Sequence, residues 1–243
     1  MLTMLTLAEG KKIFDAAAQD MLSEFTLFGY QTGEEAVHPD QLVAATSQFF
    51  EIFAKLDAEH GQRGTLPYDN SSELGEHALN CLVDLTTWAE RLGDANAKGN
   101  FDKASLSVAD WVIRHHGEIR TLEPLVNAYA AEANRMRSTE QLSKLFWAMH
   151  PLLEHVSPLL RQDLDKYDPM RPWRMLNFNF AIVATRTQNP DLMSQAFDIL
   201  GSNLPEDAPA FFEEGIKQAQ KDVYSPQVKA VMQDYFNRWT VRH

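Results

Sequence analysis

Apolar residues recur at steps of three and four along nearly the whole chain, and this constrains the fold more than any other feature. Between Ser72 and Gly93, residues Leu74, Ala78, Leu82, Leu85, Trp88, Ala89 and Leu92 form one stripe, the spacing that gathers side chains on one helix face. Phe49, Ile52, Phe53 and Leu56 mark the same stripe in a helix starting near Pro39, and an earlier helix runs from Leu7 to Phe28. One stretch departs from the pattern. In RMLNFNFAIVATR, Leu176, Phe178, Phe180 and Ile182 alternate with polar neighbours, which is strand periodicity. A lone strand has nothing to pair with, and Pro172 opens a helix well, so this segment reads as a buried helix. The expectation is an all-α chain of about ten helices.

Helix starts are clearly written in the second half. Ser138 and Gln141 have the spacing of a capping box, and Asn189 precedes Pro190 as an N-cap precedes the first helical turn. Ser225 and Pro226 repeat that grammar, and another helix starts near Asp207. A shift of 50 residues aligns Asn127 with Asn177, Ala131 with Ala181, Thr139 with Asn189 and Leu142 with Leu192. Each unit is a helix, a short break and a capped helix, and a third helix pair follows. Repeated pairs of this kind predict an irregular stack of antiparallel helix hairpins, α-solenoid-like. The long polar connection GQRGTLPYDNSS at 61–72 divides an N-terminal helical pair, 1–60, from a helical-repeat region, 72–243.

With Ala196, Phe197 and the unit-ending Pro205, the repeat region resembles the tetratricopeptide-like and HEAT-like helical-repeat superfamily. The irregular spacing lacks most of the tetratricopeptide series, so the resemblance implies stacked helix pairs rather than a defined peptide groove. EIRTLEPLVNA and LPEDAPAFF also look similar to stretches of uncharacterised bacterial proteins.

The formal net charge is −12, and residues 1–100 hold 6 Lys and Arg against 16 Asp and Glu. Such an acidic half repels phosphate, which argues against nucleic-acid binding and anionic membrane surfaces. Cys81, the single cysteine, excludes an intramolecular disulfide and a Cys-rich zinc site. On an apolar helical face it reads as a buried small hydrophobe. No run reaches the length of a membrane span, and the N-terminal order of residues does not suit a signal peptide. The expected location is the cytoplasm.

The histidines are the most catalytic-looking residues. His115 and His116 end a helix before Gly117, which reads as a Schellman-type cap with Gly117 in the left-handed conformation. Adjacent helical residues point about 100° apart, so the two do not converge on one ion. His150 and Glu154, with His155 beside them, have a spacing that suits two metal ligands or an ordinary helix-surface pair. Pro151 predicts a kink or break there. Glu35 and His38 have the ExxH spacing of di-iron bundles, but in one copy only. Phosphate-binding glycine loops and nucleophile elbows are missing from the sequence.

Asn127, Asn134 and Arg135 lie on one repeat helix, and Arg174, Asn177 and Arg186 on its mate. Asparagines on adjacent helices can bond an extended peptide backbone, and arginines can reach a carboxylate. At the C-terminus, Phe236 and Trp239 read as a final packing cap, with a homodimer contact as the alternative. Taken together, the sequence points to a non-catalytic scaffold or adaptor that binds a protein or peptide, without cofactor or catalytic residue. The alternative is a metal- or cofactor-binding helical enzyme using His115, His116, His150, Glu154 and His155.

Overall fold

The computed structural model describes residues 5–28, 37–62, 64, 66, 70–219 and 224–240. Eleven helical segments occur among them and no strand does, so the protein is all-α. None of these helices is long and apolar enough to cross a membrane. The chain divides into two compact units, one of residues 1–131 with 154–157 and the other of residues 132–153 with 158–243.

The first unit contains α1 (Leu7–Phe28), α2 (Pro39–His60), α3 (Asn70–Leu92) and α4 (Ala95–Arg114), followed by most of α5 (Glu123–Arg135). Residues 1–60 therefore contribute α1 and α2 to the same unit as α3 and α4. α4 is the central helix and packs against both α1 and α3. It can do so because small residues sit where backbones come close. A Cβ added at Gly10 of α1 would lie 1.9 Å from Ser107 Oγ, and one at Gly75 of α3 would lie 2.2 Å from Val112 Cγ2. Large rings fill the rest of the space. Phe14 lies between Phe50 and Phe101, with ring centres 5.6 and 6.0 Å away, and Phe53 stacks on Trp111 at 4.2 Å. Burying each such ring contributes about 1.5–3 kcal/mol.

The end of α4 corrects one expectation. His116, not Gly117, takes the left-handed conformation, with φ 62°. The Schellman pattern is present one residue earlier: Gly117 N–H donates to Val112 O at 2.9 Å and His116 N–H to Ile113 O at 3.1 Å. Gly117 is needed for space instead, since a Cβ there would lie 2.7 Å from Ser71 Oγ and 2.8 Å from Val112 Cγ1. The chain then bridges to residues 155–157, with Ile119 N–H donating to His155 O and Ser157 N–H to Ile119 O.

The second unit contains α6 (Thr139–His155, of which 139–153 belong here), α7 (Pro158–Arg161), α8 (Pro172–Arg186), α9 (Pro190–Asn203), α10 (Ala208–Ala219) and α11 (Pro226–Thr240). The expected starts are in place. Gln141 N–H donates to Ser138 Oγ at 3.1 Å, and Asn189 Oδ1 accepts from Asp191 N–H at 2.9 Å. α6 runs through Pro151 without ending. The alternating segment is α8, a helix: Leu176, Phe180 and Val183 are buried while Ile182 is exposed. α8 packs on α9, and α11 packs on α10 and α9. Trp239 of α11 packs on α9, lying where a Cβ on Gly201 would meet it at 2.4 Å.

Candidate interaction surface

α7 and its connection to α8, residues 158–171, form the second unit's most unusual segment. It carries Leu159, Leu164, Tyr167 and Met170, which are 68%, 76%, 100% and 66% exposed. Four large apolar side chains in twelve residues of one surface segment exceed the single exposed hydrophobes of an ordinary surface. The segment is nevertheless pinned. Arg171 is 6% exposed and forms a bidentate pair with Asp163, Nε to Oδ1 at 2.6 Å and Nη2 to Oδ2 at 2.8 Å. Nη2 also reaches Asp207 Oδ2 at 2.5 Å, and Nη1 donates to Asp168 O at 3.1 Å. The Asp163 hydrogen bonds raise the guanidinium's already high affinity for its proton. Asp163 itself sits at φ 51°, a left-handed backbone that a non-glycine residue adopts only when its surroundings hold it there.

A groove begins where this segment ends. Arg174 Nε donates to Asp207 Oδ1 at 2.7 Å, and Phe178 packs on Phe211 with ring centres 4.9 Å apart. These two contacts bring the first turns of α8 near the start of α10. Further along, Ile182 and Gly215 line the same opening. Glycine presents no side chain there; its place is taken by Met232 of α11, whose Sδ would lie 2.6 Å from an added Cβ. Ile182 is left 45% exposed, and a cavity of about 450 Å³ opens between Phe178, Ile182, Phe211 and Met232, with Arg174 and Glu214 also on its wall. That volume lies in the range of ligand and side-chain pockets.

The sequence-derived candidates are dispersed. Arg174 lines this groove, with its guanidinium also 4.0 Å from the centre of the Phe178 ring. Arg186 has a structural task, closing the end of α5 by donating to Ala133 O at 2.8 Å and Met136 O at 3.0 Å. Asn177 is buried, donating to Trp173 O and accepting from Asn203 Nδ2, both at 2.8 Å. Asn134 and Arg135 are exposed, the latter paired with Glu132 on its own helix. Asn127, in the first unit, bonds the side chain of Asp102.

Asp102 is 6% exposed, and its Oδ1 has no hydrogen-bond partner among the described residues. Burial is the main reason its carboxyl is pushed up to about 7; Lys98 opposes the shift and Glu123 adds to it. The folded protein thus holds a proton that the unfolded chain releases near the ordinary aspartate value. Stability from this group should fall as pH rises from about 4 to about 7 and level off above. Asp102→Asn removes the penalty, so its gain over wild type in urea unfolding should grow across that window, by about 1.4 kcal/mol for each pH step of one. A gain independent of pH would contradict this origin.

The histidines occupy separate settings. His115 is buried: its Nε2 lies 2.7 Å from Asp57 Oδ1 and its Nδ1 2.6 Å from Gly64 O. Both neighbours are acceptors, so whichever ring nitrogen carries a proton has an oxygen to donate to. Asp57 Oδ1 also accepts from Trp111 Nε1 at 3.0 Å, and Arg114 joins Asp57 to Asp110. A cavity of about 480 Å³ with mixed polar and apolar walls adjoins this network. His116 is exposed at the helix cap. His150 Nε2 faces Gln195 Nε2 at 3.1 Å, Glu154 is exposed, and His155 Nδ1 donates to Gly117 O at 2.9 Å. Among the described residues no three His, Cys, Asp or Glu side chains are placed to share a metal ion. Glu35, the partner of His38 in the ExxH pattern, lies outside the described residues. Cys81 is half-buried rather than buried, and desolvation raises its thiol pKa, which leaves it little nucleophilic character.

Sequence reading missed the Arg171 clamp and the exposed segment. A faint signal existed: Leu159, Leu164, Tyr167 and Met170 are large apolar residues in a stretch punctuated by aspartates and Pro169, which disfavour a buried helix. Comparison with known proteins returned no matching family model, no matching curated protein and no matching solved structure.

Proposed function

We propose that the protein is a non-catalytic interaction module of the cytoplasm, an adaptor of helical-repeat type, which docks a protein partner on the 158–171 segment and the adjoining groove. The observation that carries this reading is a surface segment displaying Leu159, Leu164, Tyr167 and Met170 while a buried guanidinium clamp fixes its backbone. Ordering a loop before binding lowers the entropy lost on association, and exposed aromatic anchors supply most of the energy at protein interfaces. The single cysteine fits a reducing compartment.

A photo-crosslinking residue at Tyr167, expressed in the native host, should give a discrete covalent adduct. The same probe at the exposed Glu59 of α2 should not. Absence of an adduct at position 167, or equal labelling at both positions, would reject this surface as the docking site.

A further inference from the structure

We propose that the occupant of the α8–α10 groove is the 158–171 segment of a second copy of this chain. This rests on the reading of that surface as a docking site and names the partner. Three observations support it. First, a segment with exposed apolar side chains and an apolar cavity stand next to each other on the same unit, joined through Asp207, which holds both Arg171 of the segment and Arg174 of the groove. A patch with a protrusion beside a matching recess is self-complementary, so a two-fold axis seats each protrusion in the other copy's recess and closes the assembly.

Second, the local charge is right for a like partner. The segment carries Arg161, Lys166 and Arg171 against Asp163, Asp165 and Asp168, and the groove carries Arg174 against Glu214. With Asp207 between them, the two elements together carry a charge of −1 in a chain of net charge −12 whose acidic excess lies in residues 1–100. Two acidic copies can approach at so nearly neutral a face. Third, the chemistry of the two elements matches. Tyr167 and Met170 are the side chains that an apolar cavity lined by Phe178, Ile182, Phe211 and Met232 would take, since aromatic and thioether groups pack well on such rings.

The test uses the full chain with Cys81→Ala to remove the native thiol. One protein carries Tyr167→Cys, the other Ile182→Cys, and the two are mixed and oxidised mildly. The mixture should yield a disulfide-linked dimer, and neither protein should do so alone, because the proposed contact joins unlike positions. Sedimentation of the otherwise native chain should show a dimer, and Tyr167→Asp should weaken it. An aromatic hot spot is worth about 30-fold in affinity, and the two-fold interface counts it twice, so the loss is about a thousand-fold in Kd.

Tyr167 is fully exposed, so an unchanged helical circular dichroism spectrum would separate lost association from lost folding. A monomer at all concentrations, or no cross-linked dimer in the mixture, overturns self-association. If the probe at position 167 still captures a different protein in the host, the docking surface stands and its occupant is another chain. If no adduct forms there either, both readings fail.

Discussion

Replacing Arg171 with leucine is expected to lower the unfolding free energy by about 3–5 kcal/mol, the cost of leaving one side of a buried ion pair without its partner. Asp163 and Asp207 would both lose their guanidinium, at side-chain exposures of 9% and 20%. Asp207 keeps Arg174, so Asp163 bears most of the penalty and its left-handed backbone loses its restraint. The loss should therefore have a local signature. Proteases should cut the 162–170 segment faster in the variant than its global stability alone requires. Asp163→Asn keeps a residue that tolerates the left-handed conformation and one hydrogen bond to Arg171, and should cost less than Arg171→Leu. Urea unfolding and a timed proteolysis series measure the two effects. A change of less than about 1 kcal/mol for Arg171→Leu would mean that the clamp is a surface ion pair in effect.

Asp57→Ala is expected to cost about 3 kcal/mol in the first unit, through donors left without acceptors. Its Oδ1 serves His115 Nε2 and Trp111 Nε1, and its Oδ2 faces Arg114 Nη2 at 3.4 Å. The His115 side chain has no exposure to water, so no solvent molecule substitutes easily. Asp57→Asn retains an oxygen acceptor and should recover part of the loss. The indole of Trp111 is fully buried and bonded to this carboxylate, which makes its fluorescence a direct reporter of the change. If Asp57→Ala unfolds at the wild-type urea concentration, the network is not a stabilising element.

The helices themselves were legible because their information is local. Apolar spacing, N-caps at Ser138 and Asn189, and prolines at first-turn positions act within three or four residues. The same logic identified α8 as a helix despite its alternation, since a strand there had no partner. Where the reading missed, the deciding contact was distant or steric. In sequence Gly117 has the position of a conformational device, yet its constraint comes from Ser71 and Val112 crowding its α-carbon. The paired histidines separate on folding: one is drawn into a network with Asp57, 58 residues away, and the other is left on the surface. Arg186 looked available for a partner and instead closes α5, which lies 53 residues earlier.

By itself, then, the sequence determined that the chain is all helix, where most of its helices begin, and that its acidic excess lies in the first hundred residues. Only the tertiary structure decided that Arg174 pairs with Asp207 and Arg186 closes α5, that glycines at 10 and 75 are approach points for helices, and that residues 158–171 form a pinned segment with four exposed apolar side chains. The division follows from the range of the forces. Helix formation and capping are satisfied within one or two turns. Buried charge must find its counter-charge wherever the fold brings one, and Arg171 finds it 8 residues back at Asp163 and 36 residues ahead at Asp207.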